Sequence, residues 1–258
     1  MNLTLKDKVI LITGGSQGVG AAIARRAAES GSKALVLSGR DASKGEGVAR
    51  DLPCEARMIV ADLSTPDGAE HLFEAAVDTY GRVDALVNAA GLTSRGSVEG
   101  ASRALWKSLF AVNAESAFIL MQQMVRHLKR RNCSGEIVNI LSMNVHGGSR
   151  DLAIYAASKA ALALLTRNAA QHHRFDRIRI NGINMGWADT PAERDMQANT
   201  LRLGADWLDQ AARQQPFGRL LTADDVARLV IFLLSPASEP MTGAIIDQEQ
   251  WVAGGMAE

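Results

Sequence analysis

Short apolar runs alternate with longer amphipathic stretches along nearly all of this 258-residue chain, and few folds are compatible with that rhythm. The runs fall at 8–13, 34–38, 56–60, 85–88, 135–141, 177–183 and 243–247, and the stretches between them at 19–30, 42–52, 66–80, 101–131, 154–175 and 223–234. Runs of that length read as strands and the stretches as helices. Strand and helix in regular succession predict a parallel sheet with crossover helices on both faces. The expectation is an α/β fold built on a doubly wound, seven-stranded parallel sheet.

No Pro/Gly/Ser-rich linker, low-complexity tract or break in composition divides the chain, so residues 1–258 read as a single domain. Hydrophobic residues make up 47% of it, enough for a large core. One segment, 189–219, departs from the rhythm: it is charged, is bounded by Gly186 and Pro216, and holds possible short helices at 191–196 and 205–214. An insertion after a strand of such a sheet lies over the carboxyl edge, where ligands bind, and is read as a substrate lid.

The first strand runs into Thr13-Gly14-Gly15-Ser16-Gln17-Gly18-Val19-Gly20, and a helix follows at once. Gly14, Gly18 and Gly20 permit a tight turn, close approach of the backbone to a pyrophosphate, and close packing of helix on strand. The helix then offers its free N–H groups to the phosphates. This is a Rossmann-type dinucleotide site, with Ser16, Gln17 and Val19 among the contacts. Strand two ends in Ser38-Gly39-Arg40, with glycine at the usual acidic position and Arg40 next. An arginine there accepts the 2′-phosphate of NADP, which is favoured over NAD; Asp41 alongside and Gln17 in place of a basic residue leave NAD open.

Tyr155 and Lys159 lie four residues apart, which on a helix puts a phenol and an ammonium on one face. An adjacent cation favours the tyrosinate and is expected to draw the phenol's pKa from about 10 toward neutrality, giving a proton donor and acceptor. Ser142 ends strand five thirteen residues earlier, and Asn113 lies on the preceding helix. With the glycine turn, Asn88-Ala89-Ala90-Gly91 after strand four and Asp62-Leu63 after strand three, these residues resemble the short-chain dehydrogenase/reductase family over nearly the whole chain. The resemblance implies that Tyr155 transfers the proton, Ser142 bonds the substrate oxygen, Lys159 holds the nicotinamide ribose and lowers the tyrosine pKa, and Asn113 anchors a water. It also implies that Asp62 contacts adenine, that Leu63, Asn88, Ala89, Gly91 and Gly186 belong to the cofactor site, and that Thr190 contacts the carboxamide. Enoyl reductases of this fold space the tyrosine and lysine further apart, so carbonyl–alcohol exchange fits better than reduction of a carbon–carbon double bond.

The residues expected to line the substrate site, Thr93, Ser94, Arg95, Asn144, Val145, His146 and Trp187, are mostly hydrogen-bonding, which suits a secondary alcohol or ketone of a sugar or polyol. A bulkier 3-oxoacyl thioester and a non-catalytic, cofactor-binding regulator are the alternatives. Met185 stands where the family has proline, which loosens the loop after strand six. Gln248-Glu249-Gln250 replaces the common Asp-Gly-Gly ending, and Trp251 is a candidate contributor to a neighbouring subunit's pocket in the homotetramer that the resemblance implies. The 28 basic residues balance the 28 acidic ones, which gives no footprint for nucleic acid or an anionic membrane. Cys54 and Cys133 have no metal-ligand spacing, no metal site is evident, and with no signal-like or membrane-spanning run the expectation is a soluble, cytoplasmic protein.

Overall fold

The computed structural model describes residues 3–147 and 149–254. In chain order its elements are β1 (Val9–Thr13), α1 (Gly18–Glu29), β2 (Ala34–Gly39), α2 (Ala42–Arg50), β3 (Glu55–Val60), α3 (Gly68–Tyr80), β4 (Ala85–Asn88), α4 (Arg103–Phe110), α5 (Ser116–Arg131), β5 (Gly135–Ile140), α6 (Ala153–His173), β6 (Ile178–Met185), β7 (Ala188–Asp189), α7 (Pro191–Asp195), α8 (Trp207–Arg213), β8 (Leu221–Thr222), α9 (Ala223–Leu234) and β9 (Ile245–Gln248). Seven strands form one sheet in the order β3-β2-β1-β4-β5-β6-β9, parallel throughout.

Every residue of β1, β4 and β5 is buried, a pattern open only to strands covered on both faces. Ile10 and Ile12 point to one layer, where Ile23 of α1 meets Val226 and Val230 of α9. Leu11 points to the other, against Leu72 and Phe73 of α3, Leu120 and Met124 of α5, and Leu162 of α6. The period of two along the strand thus feeds two cores from one sheet. Strand order reverses between β1 and β4, and a crevice opens beyond their carboxyl ends.

Two departures from the expected elements bear on the site. The helix expected at 101–131 is broken: α4, capped by Ser102, passes through one π-helical turn at Ala111–Glu115 before α5 begins. The 189–219 segment is closed at its base by β7 and β8, which pair in parallel with Ala188 opposite Leu221 and Asp189 opposite Thr222. Among the described residues no helix is long and apolar enough to cross a membrane.

Helix α9 starts with a reciprocal cap in which Thr222 Oγ1 accepts from the Asp225 N–H at 3.1 Å and Asp225 Oδ2 accepts from the Thr222 N–H at 2.8 Å. Burial would push the Asp225 carboxyl up, but hydrogen bonds from Arg219 and Thr222 outweigh it and hold the group far below the usual carboxylate range. Its contribution to stability is therefore complete above the unfolded-state value near 4 and is lost as pH falls below that. Asp225→Ala is expected to cost about 1–2 kcal/mol at neutral pH and to flatten the acid limb of the stability curve, both read from urea unfolding between about pH 2 and 7.

Candidate active site

The crevice has a volume of about 320 Å³. Into it the fold brings Gly14, Ser16, Gln17, Gly18, Val19 and Gly20 from the turn after β1, Arg40 from the end of β2, Asp62 and Leu63 from beyond β3, and Ala89 and Gly91 from beyond β4. Tyr155 and Lys159 of α6, and Thr190 at the start of α7, join them, whereas Asn88, Asn113, Ser142 and Gly186 are not part of the lining. Ser38, Leu92, Ile140 and Met185 also line it, although the sequence reading gave them no place there.

The turn is held by Thr13, whose Oγ1 accepts from the Ala89 and Ala90 N–H groups, both at 3.0 Å, and so ties β1 to the loop after β4. Gly14 has φ +66°, and a Cβ there would stand 3.0 Å from Ala90 Cα; a Cβ on Gly20 would collide with the Gly14 carbonyl. The Gln17 side chain makes no capping bond to α1, which leaves the leading N–H groups of the helix for an anion. Asp41 accepts from the Lys44 N–H at 3.0 Å, so its carboxylate caps α2 beside Arg40. Ser38 Oγ is buried on the crevice wall without a partner, and a Cβ on Gly39 would crowd Ser16 Oγ at 2.8 Å. A cradle without side chains, free helix N–H groups, an orphaned hydroxyl and an arginine fit a phosphorylated dinucleotide.

At the other end of the crevice Tyr155 and Lys159 are 6% and 4% exposed. The Lys159 ammonium donates to the Ile140 carbonyl at 2.8 Å, and burial lowers its pKa to about 8. A Cβ on Gly91 would lie 3.3 Å from Lys159 Nζ, so the glycine leaves room for it. Burial raises the Tyr155 pKa; a hydrogen bond with Ser142 lowers it in part, and the Glu193 carboxylate adds repulsion. The shift toward neutrality expected from the four-residue spacing is thus corrected: desolvation outweighs the hydrogen bond with Ser142, and the phenol is held as an acid with a proton to give.

Asn113 lies in the π-helical turn between α4 and α5. Its Oδ1 accepts from the Leu92 N–H at 2.8 Å, while Nδ2 donates to the Leu92 carbonyl at 2.9 Å and to Ser158 Oγ at 3.0 Å. Both amide hydrogens are therefore committed to protein, and a water expected on this side chain is left with one lone pair of Oδ1. Ser142 follows β5 and opens a 3₁₀ turn at Met143–His146, its Oγ accepting from the Asn144 N–H at 3.2 Å and from Asn144 Nδ2 at 3.3 Å.

Other expected residues lie outside the crevice lining. Asn88 faces the core, donating to Asn139 Oδ1 at 2.8 Å, and Asn139 donates to Thr166 of α6 at 2.8 Å. Gly186 faces the tail, because a Cβ there would collide with the Glu249 carboxylate. His146 turns to β9, its Nε2 3.0 Å from Asp247 Oδ2, and Asn184 donates to Asp247 Oδ1 at 2.7 Å. Trp187 donates its main-chain N–H to Glu249 at 3.0 Å and its Nε1 to Glu193 at 2.8 Å, and stacks on Trp207 at 6.4 Å. Trp251 bonds Gln215 of its own chain at 3.2 Å, and Gln250 bonds the Arg219 carbonyl at 2.7 Å. Asp247, Glu193 and Glu249 are missed by sequence reasoning because their partners are remote in sequence or belong to the irregular 189–219 segment.

Asn113→Ala would leave the Leu92 main-chain groups and Ser158 Oγ without these partners, and a loss of about 2–3 kcal/mol is expected in urea unfolding, with the far-ultraviolet spectrum of the native state unchanged.

Residues 14–256 match the family described as Enoyl-(Acyl carrier protein) reductase. The chain is 30% identical over 245 residues to the NADP-dependent (R)-specific alcohol dehydrogenase of Lentilactobacillus kefiri, covering 93% of this chain and 94% of the relative. It is also 30% identical over 245 residues to a 3-oxoacyl-[acyl-carrier-protein] reductase of Chlamydia pneumoniae, covering 94% and 95%. A solved structure provisionally named an NAD(P)-dependent gluconate 5-dehydrogenase, from Beutenbergia cavernae with NADP at low occupancy, superposes with a TM-score of 0.84 at 29% identity over 96% of this chain and 97% of that one. With this likeness along its length and the glycine turn, tyrosine and lysine in one crevice, the chain belongs to the short-chain dehydrogenase/reductase family of oxidoreductases.

Proposed function

We propose that the protein interconverts a secondary alcohol and a ketone of a sugar or polyol, with NADP as its nicotinamide cofactor. The observation that carries this reading is the convergence of Tyr155, Lys159 and the glycine turn on one crevice. NADP rather than NAD is supported by Arg40 on the wall, by the withdrawal of Asp41 into its cap, and by the NADP named for the Lentilactobacillus relative and the Beutenbergia structure.

The bound cofactor supplies the hydride for the carbonyl carbon, or accepts it from the alcohol. Tyr155 gives its phenolic proton to the substrate oxygen as alkoxide charge develops, and Ser142 presents a second donor to that oxygen. Lys159 holds the nicotinamide ribose, while Asn113 fixes Leu92 and Ser158 behind it. The 189–219 segment serves as the lid; Thr190 stands 3.7 Å from where a Cβ of Gly18 would be, which seats the start of α7 over the phosphate turn. The four-residue interval from Tyr155 to Lys159 favours carbonyl chemistry over enoyl reduction. Assembly as a homotetramer is part of this reading, supported by exposed apolar groups on the outer helices, Phe118 of α5 and Leu164 of α6.

A 3-oxoacyl thioester is the second reading, favoured by the Chlamydia relative. Initial rates with a polyol panel and with a 3-oxoacyl thioester separate the two, since turnover of the thioester alone would overturn the polyol assignment. Tyr155→Phe is expected to lower kcat by about a thousandfold or more while the NADPH dissociation constant, read by fluorescence titration, stays within about threefold. Because Lys159 carries its charge only below about pH 8, the rate of ketone reduction at saturating cofactor should be level up to about that pH and fall above it.

A further inference from the structure

Ser142 directly follows Leu141, which lines the crevice, and is itself buried. A hydroxyl has two lone pairs and one hydrogen, and on Ser142 both lone pairs are engaged by one neighbour, through the N–H and the Nδ2 of Asn144. The hydrogen is the bonding capacity that remains, so the group is left to donate rather than accept. That bias suits an oxygen on which alkoxide charge develops, and it lasts only while the 3₁₀ turn keeps Asn144 against Ser142.

The turn has little else to hold it. None of its residues from Met143 to His146 is buried, and its main-chain bonds are internal, from the Val145 N–H to the Ser142 carbonyl at 3.1 Å and from the Gly147 N–H to the Asn144 carbonyl at 3.0 Å. Gly147 leaves it with φ +88° in open space. Among the described residues, the hydrogen bonds that join this turn to another element are made by the His146 ring, whose Nε2 lies 3.1 Å from Asp247 Oδ1, 3.0 Å from Asp247 Oδ2 and 3.4 Å from Asn184 Nδ2. Asp247 is itself fixed, because Asn184, buried opposite it on β6, donates to its Oδ1 at 2.7 Å. Nε2 carries a hydrogen in the imidazolium and in one neutral tautomer, so the bond to the carboxylate is available in either charge state. From this arrangement we infer that His146 and Asp247 are positioning residues for the reaction: by clamping the far end of the turn to β9 they keep Asn144 against Ser142, and so make the serine a donor to the substrate oxygen. This rests on the reading of Ser142 as the second donor given above, and it adds two residues, 101 positions apart, that stand outside the crevice lining.

The test compares full-length variants in the reduction of sugar and polyol ketones at saturating NADPH. His146→Ala and Asp247→Ala should each lower kcat by about tenfold while the NADPH dissociation constant stays within about threefold, and His146→Gln, whose amide can donate to the same carboxylate, should recover kcat to within about threefold of wild type. In a Ser142→Ala background, where no hydroxyl remains to be aimed, His146→Ala should cost less than about a further twofold, whereas a merely structural brace would lose its full factor again. Wild-type kcat in His146→Ala, or an undiminished loss with the serine already removed, overturns the inference. If the wild type reduces none of these ketones, the sugar or polyol reading fails separately, and the phenolate absorbance of Tyr155, one of only two tyrosines, then decides in a Tyr80→Phe background. The bond with Ser142 lowers the Tyr155 pKa, so Ser142→Ala and His146→Ala should both raise the titration midpoint; a midpoint that either leaves unmoved overturns the inference.

Discussion

Burying the Lys159 ammonium is the most demanding step in building this site. A lysine that is 4% exposed and bonded to one carbonyl has lost most of its hydration, and its pKa falls to about 8 in consequence. Such a group keeps its place only if the helix carrying it cannot shift, so the polar contacts of α6 acquire a purpose. Thr166 reaches through Asn139 to Asn88, linking α6 to β5 and β4 inside an apolar core. Ser158 donates to the Tyr155 carbonyl at 2.7 Å and accepts from Asn113, linking α6 to the π-helical turn and Leu92. The first network lies behind the crevice and the second reaches its wall at Leu92 and Tyr155, and both hold the helix against which the crevice is formed.

The same burial decides the behaviour of Tyr155. Coulombic attraction between phenolate and ammonium is the argument available from spacing, and it pulls the pKa down. Desolvation of the phenolate pulls it up and dominates, with Glu193 adding to it. The result is a tyrosine disposed to donate its proton, beside a buried lysine that is itself easily discharged.

Much of the fold could be read from the chain because strand and helix periods are local properties. The buried runs of β1, β4 and β5, the turn with Gly14 and Gly20, and the pairing of Tyr155 with Lys159 each depend on residues within a few positions of one another. What could not be read depends on long-range pairing. Asn88 turns inward because β4 lies beside β5 in a register that places it opposite Asn139, a fact absent from either segment alone. His146 meets Asp247 across 101 positions, and Trp187 meets Glu249 across 62. The π-helical turn at Ala111–Glu115 carries a polar residue, Asn113, inward, a burial that the residue types of the segment do not announce.

The tail after β9 is woven into the irregular stretch after β6: Glu249 receives Trp187, Gln250 bonds both Phe217 and Arg219, and Trp251 bonds Gln215. A ribosome releases these residues after every strand of the sheet, so the nascent polypeptide can assemble most of its interior before that stretch acquires its anchors. Maturation of that stretch is thereby tied to translation through residue 251, and a product cut short before that point would keep the glycine turn yet lack these fastenings.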